Sequence, residues 1–142
     1  MRRILFFVIT IVVFSCDKNQ KAVKRLDGNW KAIEVIETNG ALAEDLVSQG
    51  MLFTFNFSNC KLKNDEFCEY SLTTTDNTVG VNATTIEKGF YKVVNDGNTM
   101  ITTDALTNGS EITIDIVELK KNSAILLKKI NDGSTKYTLI KL

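Results

Sequence analysis

Between Val93 and Tyr137 the chain reads VVNDGNTMITTDALTNGSEITIDIVELKKNSAILLKKINDGSTKY. Asp96-Gly97, Asn108-Gly109 and Asp132-Gly133 each stand between apolar runs. Asp-Gly and Asn-Gly are the preferred chemistry of tight hairpins, because both residue types tolerate the positive φ that such turns need. Asn122, in LKKNSAIL, marks a fourth turn. Four successive turns predict a meander of five antiparallel strands over residues 86–142.

The period-two signal continues upstream. In MLFTFNFS (51–58), Phe53, Phe55 and Phe57 share one face, and Thr54, Asn56 and Ser58 share the other. EFCEYSL places Cys68, Tyr70 and Leu72 together, as SEITIDIVEL does for Ile112, Ile114 and Ile116. The alternation in WKAIEVIE and SAILLKKI is less regular, as β-bulges would make it. Strands near 29–37, 51–58 and 66–73 bring the total to eight. ALAEDLVSQG (41–50), stopped by Gly50, is the one helix candidate. Eight antiparallel strands in meander order leave two open edges unless the sheet closes on itself. The expected fold is therefore all-β, an eight-stranded antiparallel up-and-down barrel, with a two-sheet sandwich as the alternative.

Composition narrows the function. The 142 residues suffice for one domain with a real core. The 17 basic and 17 acidic side chains cancel, so no electrostatic footprint for nucleic acid exists. Histidine is absent, which removes the commonest general base and metal ligand. Asp65, Glu66 and Glu69 fit a polar turn, and Glu44 and Asp45 are helix neighbours that do not face one another. No nucleophile–base constellation is visible, and the reading is non-enzymatic, without cofactor or metal.

The N-terminus carries the address. MRRILFFVITIVVFSC has two arginines, an apolar run from Ile4 to Phe14, then Ser15 and Cys16. A helix over 4–16 would be about 20 Å long, short of the roughly 30 Å hydrocarbon core, so the pattern is a secretory signal and not a span. VVFSC resembles the lipobox of bacterial lipoproteins, although Phe14 replaces the usual small residue two positions before the cysteine. The resemblance implies cleavage after Ser15 and lipidation of Cys16; DKNQKAVKR, polar and without apolar periodicity or caps, then makes residues 16–25 a flexible tether carrying Lys18, Lys21, Lys24 and Arg25. The membrane is then a partner through the lipid anchor.

An exported chain sits in an oxidising compartment, so Cys60 and Cys68 are expected to pair. If Leu62 opposes Glu66 across a three-residue loop, Cys60 falls opposite Cys68, near disulfide range. Two unpaired thiols are the alternative. A zinc site would have to borrow carboxylates for its remaining ligands.

RLDGNWKAIEV resembles the G-x-W opening of lipocalins, with Gly28 and Trp30 at the start of the first strand, and YTLIKL is similar to the last strand of lipocalin-like lipoproteins from Bacteroidetes-type bacteria. The resemblance, over 25–142, implies a domain at 26–142 whose tryptophan packs across the closed end of the barrel, with Lys141 as a candidate basic partner. It implies a cell-envelope location, most directly the outer membrane. TTDAL (102–106) is similar to the family's T-D-Y element but lacks its tyrosine. An eight-stranded barrel either fills itself or holds one small ligand. The candidates for lining a site are Phe53, Phe55, Phe57, Tyr70, Tyr91, Ile112, Ile114 and Tyr137. One expectation is a small apolar or amphipathic ligand in a cavity of several hundred Å³; the other is a filled barrel serving as a platform for an envelope protein partner.

Overall fold

The computed structural model describes residues 17–62, 66–78, 83–104 and 110–142. The expected leader and Cys16 lie outside the described residues, as do Asp65 and the Asn108-Gly109 turn.

Strands β1 (Gly28–Asn39), β2 (Leu42–Asp45), β3 (Met51–Phe57), β4 (Cys68–Asp76) and β5 (Ala83–Val94) are followed by β6 (Thr99–Asp104), β7 (Glu111–Leu119), β8 (Ser123–Ile130) and β9 (Gly133–Lys141). Each strand from β3 to β9 pairs antiparallel with the next, and β9 returns to β1, so the sheet closes. The result is the expected up-and-down, lipocalin-like barrel of β1 and β3–β9, with β2 as an extra strand. Closure leaves no open edge among the barrel strands, which decides against the sandwich.

The meander follows its turn residues. At the β8–β9 hairpin Ile130 pairs with Gly133, and Asn131 takes φ +45°. A Cβ on Gly133 would lie 2.6 Å from the Thr38 carbonyl, so a close backbone approach demands glycine there. At the β5–β6 turn Asn95, Asp96 and Gly97 all have positive φ. The irregular alternation also has its cause. The β1–β9 register shifts between Ala32 and Glu34, and the β7–β8 register between Ile116 and Glu118, which turns Ile33 and Val117 out to solvent. Residues 73–76 and 83–85, a polar pair of segments, extend β4 and β5, with the Thr75 and Thr84 hydroxyls 3.2 Å apart across the ladder.

Three expectations need correction. ALAEDLVSQG is not helical: Leu42–Asp45 pairs with the far half of β1, Asn39 opposite Leu42 and Ile36 opposite Asp45. Helix-favouring residues are overridden by this pairing and by the Asp45 carboxylate, which accepts from Val35 N at 3.2 Å and Val47 N at 3.1 Å.

Of the expected tether, residues 17–25 are described and are not flexible coil. Lys18–Leu26 is helix α1, capped by the Asp17 carboxylate, which accepts from Asn19 N and Gln20 N. Ala22, Val23 and Leu26 share one face and are buried against the barrel, while Lys24 and Arg25 complement the C-terminal end of the helix dipole.

The β3–β4 register is also one residue from the expected one. Phe57 opposes Tyr70, not Ser71. A one-residue slip would have put the outward Ser58 opposite the inward Tyr70 and reversed the faces of one strand. Cys60 lies beyond β3 and reaches Cys68 from outside the ladder. The disulfide nonetheless forms, with Cα atoms 5.5 Å apart.

Candidate functional site

One end of the barrel is sealed. Trp30 is fully buried, its Nε1 donates to the Leu26 carbonyl at 2.6 Å, and Lys141 Nζ lies 5.3 Å from its ring centroid. The same ammonium donates to the Arg25 carbonyl at 3.3 Å. Gly28 has φ +113°, and a Cβ there would meet Lys141 Cε at 3.2 Å. The glycine of G-x-W is thus required both by its backbone and by the lysine over the indole.

Helix α1 lies across this end. Asn19 Oδ1 accepts from Gly97 N at 2.8 Å, and Gln20 brackets the disulfide loop, donating to Cys60 O and accepting from Leu62 N, both at 2.8 Å. A Cβ on Gly97 would sit 3.2 Å from the Lys18 carbonyl, so the glycine lets the helix approach.

Above the plug, aromatic rings occupy much of the lumen. Phe57 meets Tyr91 edge-on at 5.3 Å and stacks with Phe55 at 5.8 Å; Tyr137 stands edge-on to Phe55 at 5.4 Å and to Phe53 at 6.4 Å. Beside these rings, toward the mouth at the end of the barrel opposite α1, is a cavity of about 120 Å³. Larger depressions, about 390 and 550 Å³, lie along the outer wall near Asn56, Ser71 and Phe90, and near Thr113, Asp115 and Lys129.

Of the sequence candidates, Phe55, Phe57, Tyr70, Ile112, Ile114 and Tyr137 line the lumen cavity. Phe53 is buried but packs on Tyr137 outside it. Tyr91 belongs to the sealed end, where its hydroxyl donates to the Ser58 carbonyl at 2.9 Å. The lumen cavity beside Phe55 and Phe57 is about 120 Å³, smaller than the several-hundred-Å³ space expected along the Phe53–Phe55–Phe57 face, because the aromatic column occupies much of it. Sequence reasoning missed Leu72, Met100, Thr102, Leu126 and the charged Glu87, Asp104 and Lys128. Register is the signal that finds them: Leu72 opposes Phe55, Thr102 opposes Tyr91, Asp104 opposes Gly89, and Lys128 opposes Ile114. Among the described residues no cluster of metal-ligating side chains occurs.

The low polarity of the lumen registers on its phenols. Burial first, then the Glu87 carboxylate, raises Tyr70 above its ordinary range. Burial raises Tyr91 as well, and pushes Tyr137 up to about 12, with Glu87 and Glu37 adding to the effect. These are all three tyrosines of the chain. An unfolded phenol releases its proton near pH 10, so above that value the folded state binds more protons and its stability falls as pH rises toward the folded values. Absorbance at 295 nm is expected to show less phenolate in the native protein at pH 11 than in guanidinium, where the phenols titrate with a midpoint near pH 10. Native titration of all three near pH 10 would contradict the buried placement.

No protein-family model and no curated protein matches the sequence.

Proposed function

We propose that the chain is a lipid-anchored cell-envelope protein whose lipocalin-like barrel takes a small amphipathic ligand in its lumen. The cavity between Phe55, Phe57, Tyr70, Ile112, Ile114 and Tyr137 carries this reading. Its walls are apolar and aromatic with polar groups at one side, the composition of a small-molecule site. Its about 120 Å³ is below the roughly 300–1,000 Å³ of drug-sized pockets and has room for about four waters at ~30 Å³ each. The ligand is accordingly a handful of non-hydrogen atoms or the end of a longer chain.

The anchor fits this arrangement. Helix α1 begins two residues after Cys16 and lies across the sealed end, so a lipid on Cys16 holds that end toward the membrane and turns the mouth away. Two or three acyl chains, at about 0.8 kcal/mol per buried CH₂, make such attachment effectively permanent. Cys16→Ser is expected to move the protein from the detergent phase to the aqueous phase on Triton X-114 partitioning. Retention in the detergent phase would contradict the anchor. For the ligand, native mass spectrometry of protein purified from its own host is expected to show a small added mass, and repeated absence would overturn the binding reading.

The filled lumen favours a second reading, a non-enzymatic platform for an envelope partner. Exposed Ile86 and Phe90 on the outer face of β5 are the surface it would use. Repeated absence of a co-purifying mass, together with a stable complex lost on Phe90→Asp, would establish it.

A further inference from the structure

We infer that the lumen cavity selects a small organic cation, a primary aliphatic amine in its ammonium form, over neutral and anionic molecules of the same size. The inference rests on the ligand reading above and adds the sign of the ligand's charge.

Strand alternation sets which charged groups face inward at the mouth. On β5, Gly89, Tyr91 and Val93 are buried and inward, so Glu87 points the same way and lines the cavity. On β6, Met100 and Thr102 are inward and Asp104 follows them to the cavity wall. On β1, Val35 is buried opposite Tyr137, and Glu37 lies one step nearer the mouth opposite Thr135. The inward basic residue is Lys128 on β8. Lys88 also touches the cavity, but it alternates with Glu87 and Gly89 and belongs to the outer wall beside Asn56 and Ser71. On β4, Asp76 is inward but accepts from Thr78 N and Oγ1 and is held in its own turn.

Three inward carboxylates therefore face one inward ammonium. Among the described residues, Glu37, Glu87 and Lys128 form no ion pair with one another or with any other side chain. Beneath them stand the rings of Phe55, Tyr70 and Tyr137, whose faces attract a cation within about 6 Å. Glu37 and Glu87 are exposed, so water screens their attraction in part. An alkyl tail would lie against Ile112 and Ile114, with the ammonium toward Glu87.

The test uses three probes of nearly equal size, n-butylammonium, n-butanol and butyrate, titrated into ¹⁵N-labelled protein at pH 7 and followed by amide shifts. Butylammonium is expected to bind at least about tenfold tighter than butanol, with butyrate weakest and the shifts centred on Tyr70, Glu87, Ile114 and Tyr137. Glu87→Gln is expected to weaken butylammonium several-fold without changing butanol, and Lys128→Met, which removes the internal competitor, to tighten it. Glu87 is exposed, so its variant should keep the native amide spectrum. Equal affinity for butanol and butylammonium, a preference for butyrate, or an inert Glu87→Gln would overturn the charge inference and leave the ligand reading standing. Failure of all three probes to bind would overturn both.

Discussion

Trp30→Ala is expected to cost about 3–5 kcal/mol of folding stability, the usual range for truncating a fully buried large aromatic. For a domain of this size that is a Tm loss of roughly 10–20 °C. The indole also holds other parts together. It donates to the Leu26 carbonyl at the end of α1 and supports the Lys141 ammonium, which reaches back to the Arg25 carbonyl. Truncation should therefore loosen the helix before the barrel. Trypsin should cut after Lys21, Lys24 or Arg25 faster in the variant than in the parent, under conditions where the β-sheet circular dichroism of both is intact. Trp30→Phe retains most of the volume and loses only the donor, and about 1–2 kcal/mol is expected. Equal losses for the two variants would show that the hydrogen bond, not the ring, seals this end.

Gly89→Ala should cost about 1–3 kcal/mol although it adds one methyl group to a strand. A Cβ at this position would run into the Thr103 backbone carbonyl and come within 2.7 Å of the Tyr70 ring. Gly89 is buried between β4 and β6, opposite Tyr70 on one side and Asp104 on the other, and the ring covers the space a side chain would take. The two obstacles differ. Tyr70 can rotate away, whereas the carbonyl can move only with the β5–β6 pairing. In a Gly89→Ala, Tyr70→Ala double variant, removing the ring should recover little of the loss, as measured by chemical denaturation. Full recovery would locate the conflict at the tyrosine instead.

Much of the barrel was legible because its signals are local. Gly97 and Gly133 stand at turns or close approaches that are already written into NDG triplets, and the Phe53–Phe55–Phe57 alternation puts those residues on the face that the core uses. What escaped depends on partners distant in sequence. Helix α1 had a usable signature, an Asp17 cap and apolar residues at 22, 23 and 26, but nine residues are too few for a stable isolated helix. It forms because Gly97, Cys60 and Leu62 receive it. Leu42–Asp45 became a strand for the same kind of reason, β1 being long enough to offer it an edge. The β3–β4 register was recoverable: inward Phe57 and inward Tyr70 must oppose each other, and placing the two cysteines opposite violated that parity. The cavity was not recoverable, since its size depends on how Phe55, Phe57 and Tyr137 turn their rings. The inward charges at the mouth were within reach of anyone who carried the alternation of β5 and β6 past the last apolar residue.

The seam between β1 and β9 has a bearing on how the chain is made. Every other barrel strand finds its partner within a short stretch of chain, but Trp30 waits for Lys141 and Val35 for Tyr137. A chain emerging N-terminus first can therefore assemble the sheet by successive hairpins while its first strand keeps one edge bare. Long-range pairing of this kind is the slow, entropy-limited part of folding. The last barrel strand, β9, also carries Lys141, which clasps the indole beside α1. Closing the ring, burying the indole and docking the helix are in this topology one late event. A nascent chain stalled before β9 would expose the edge of β1, the kind of surface that chaperones shield and that other strands pair with.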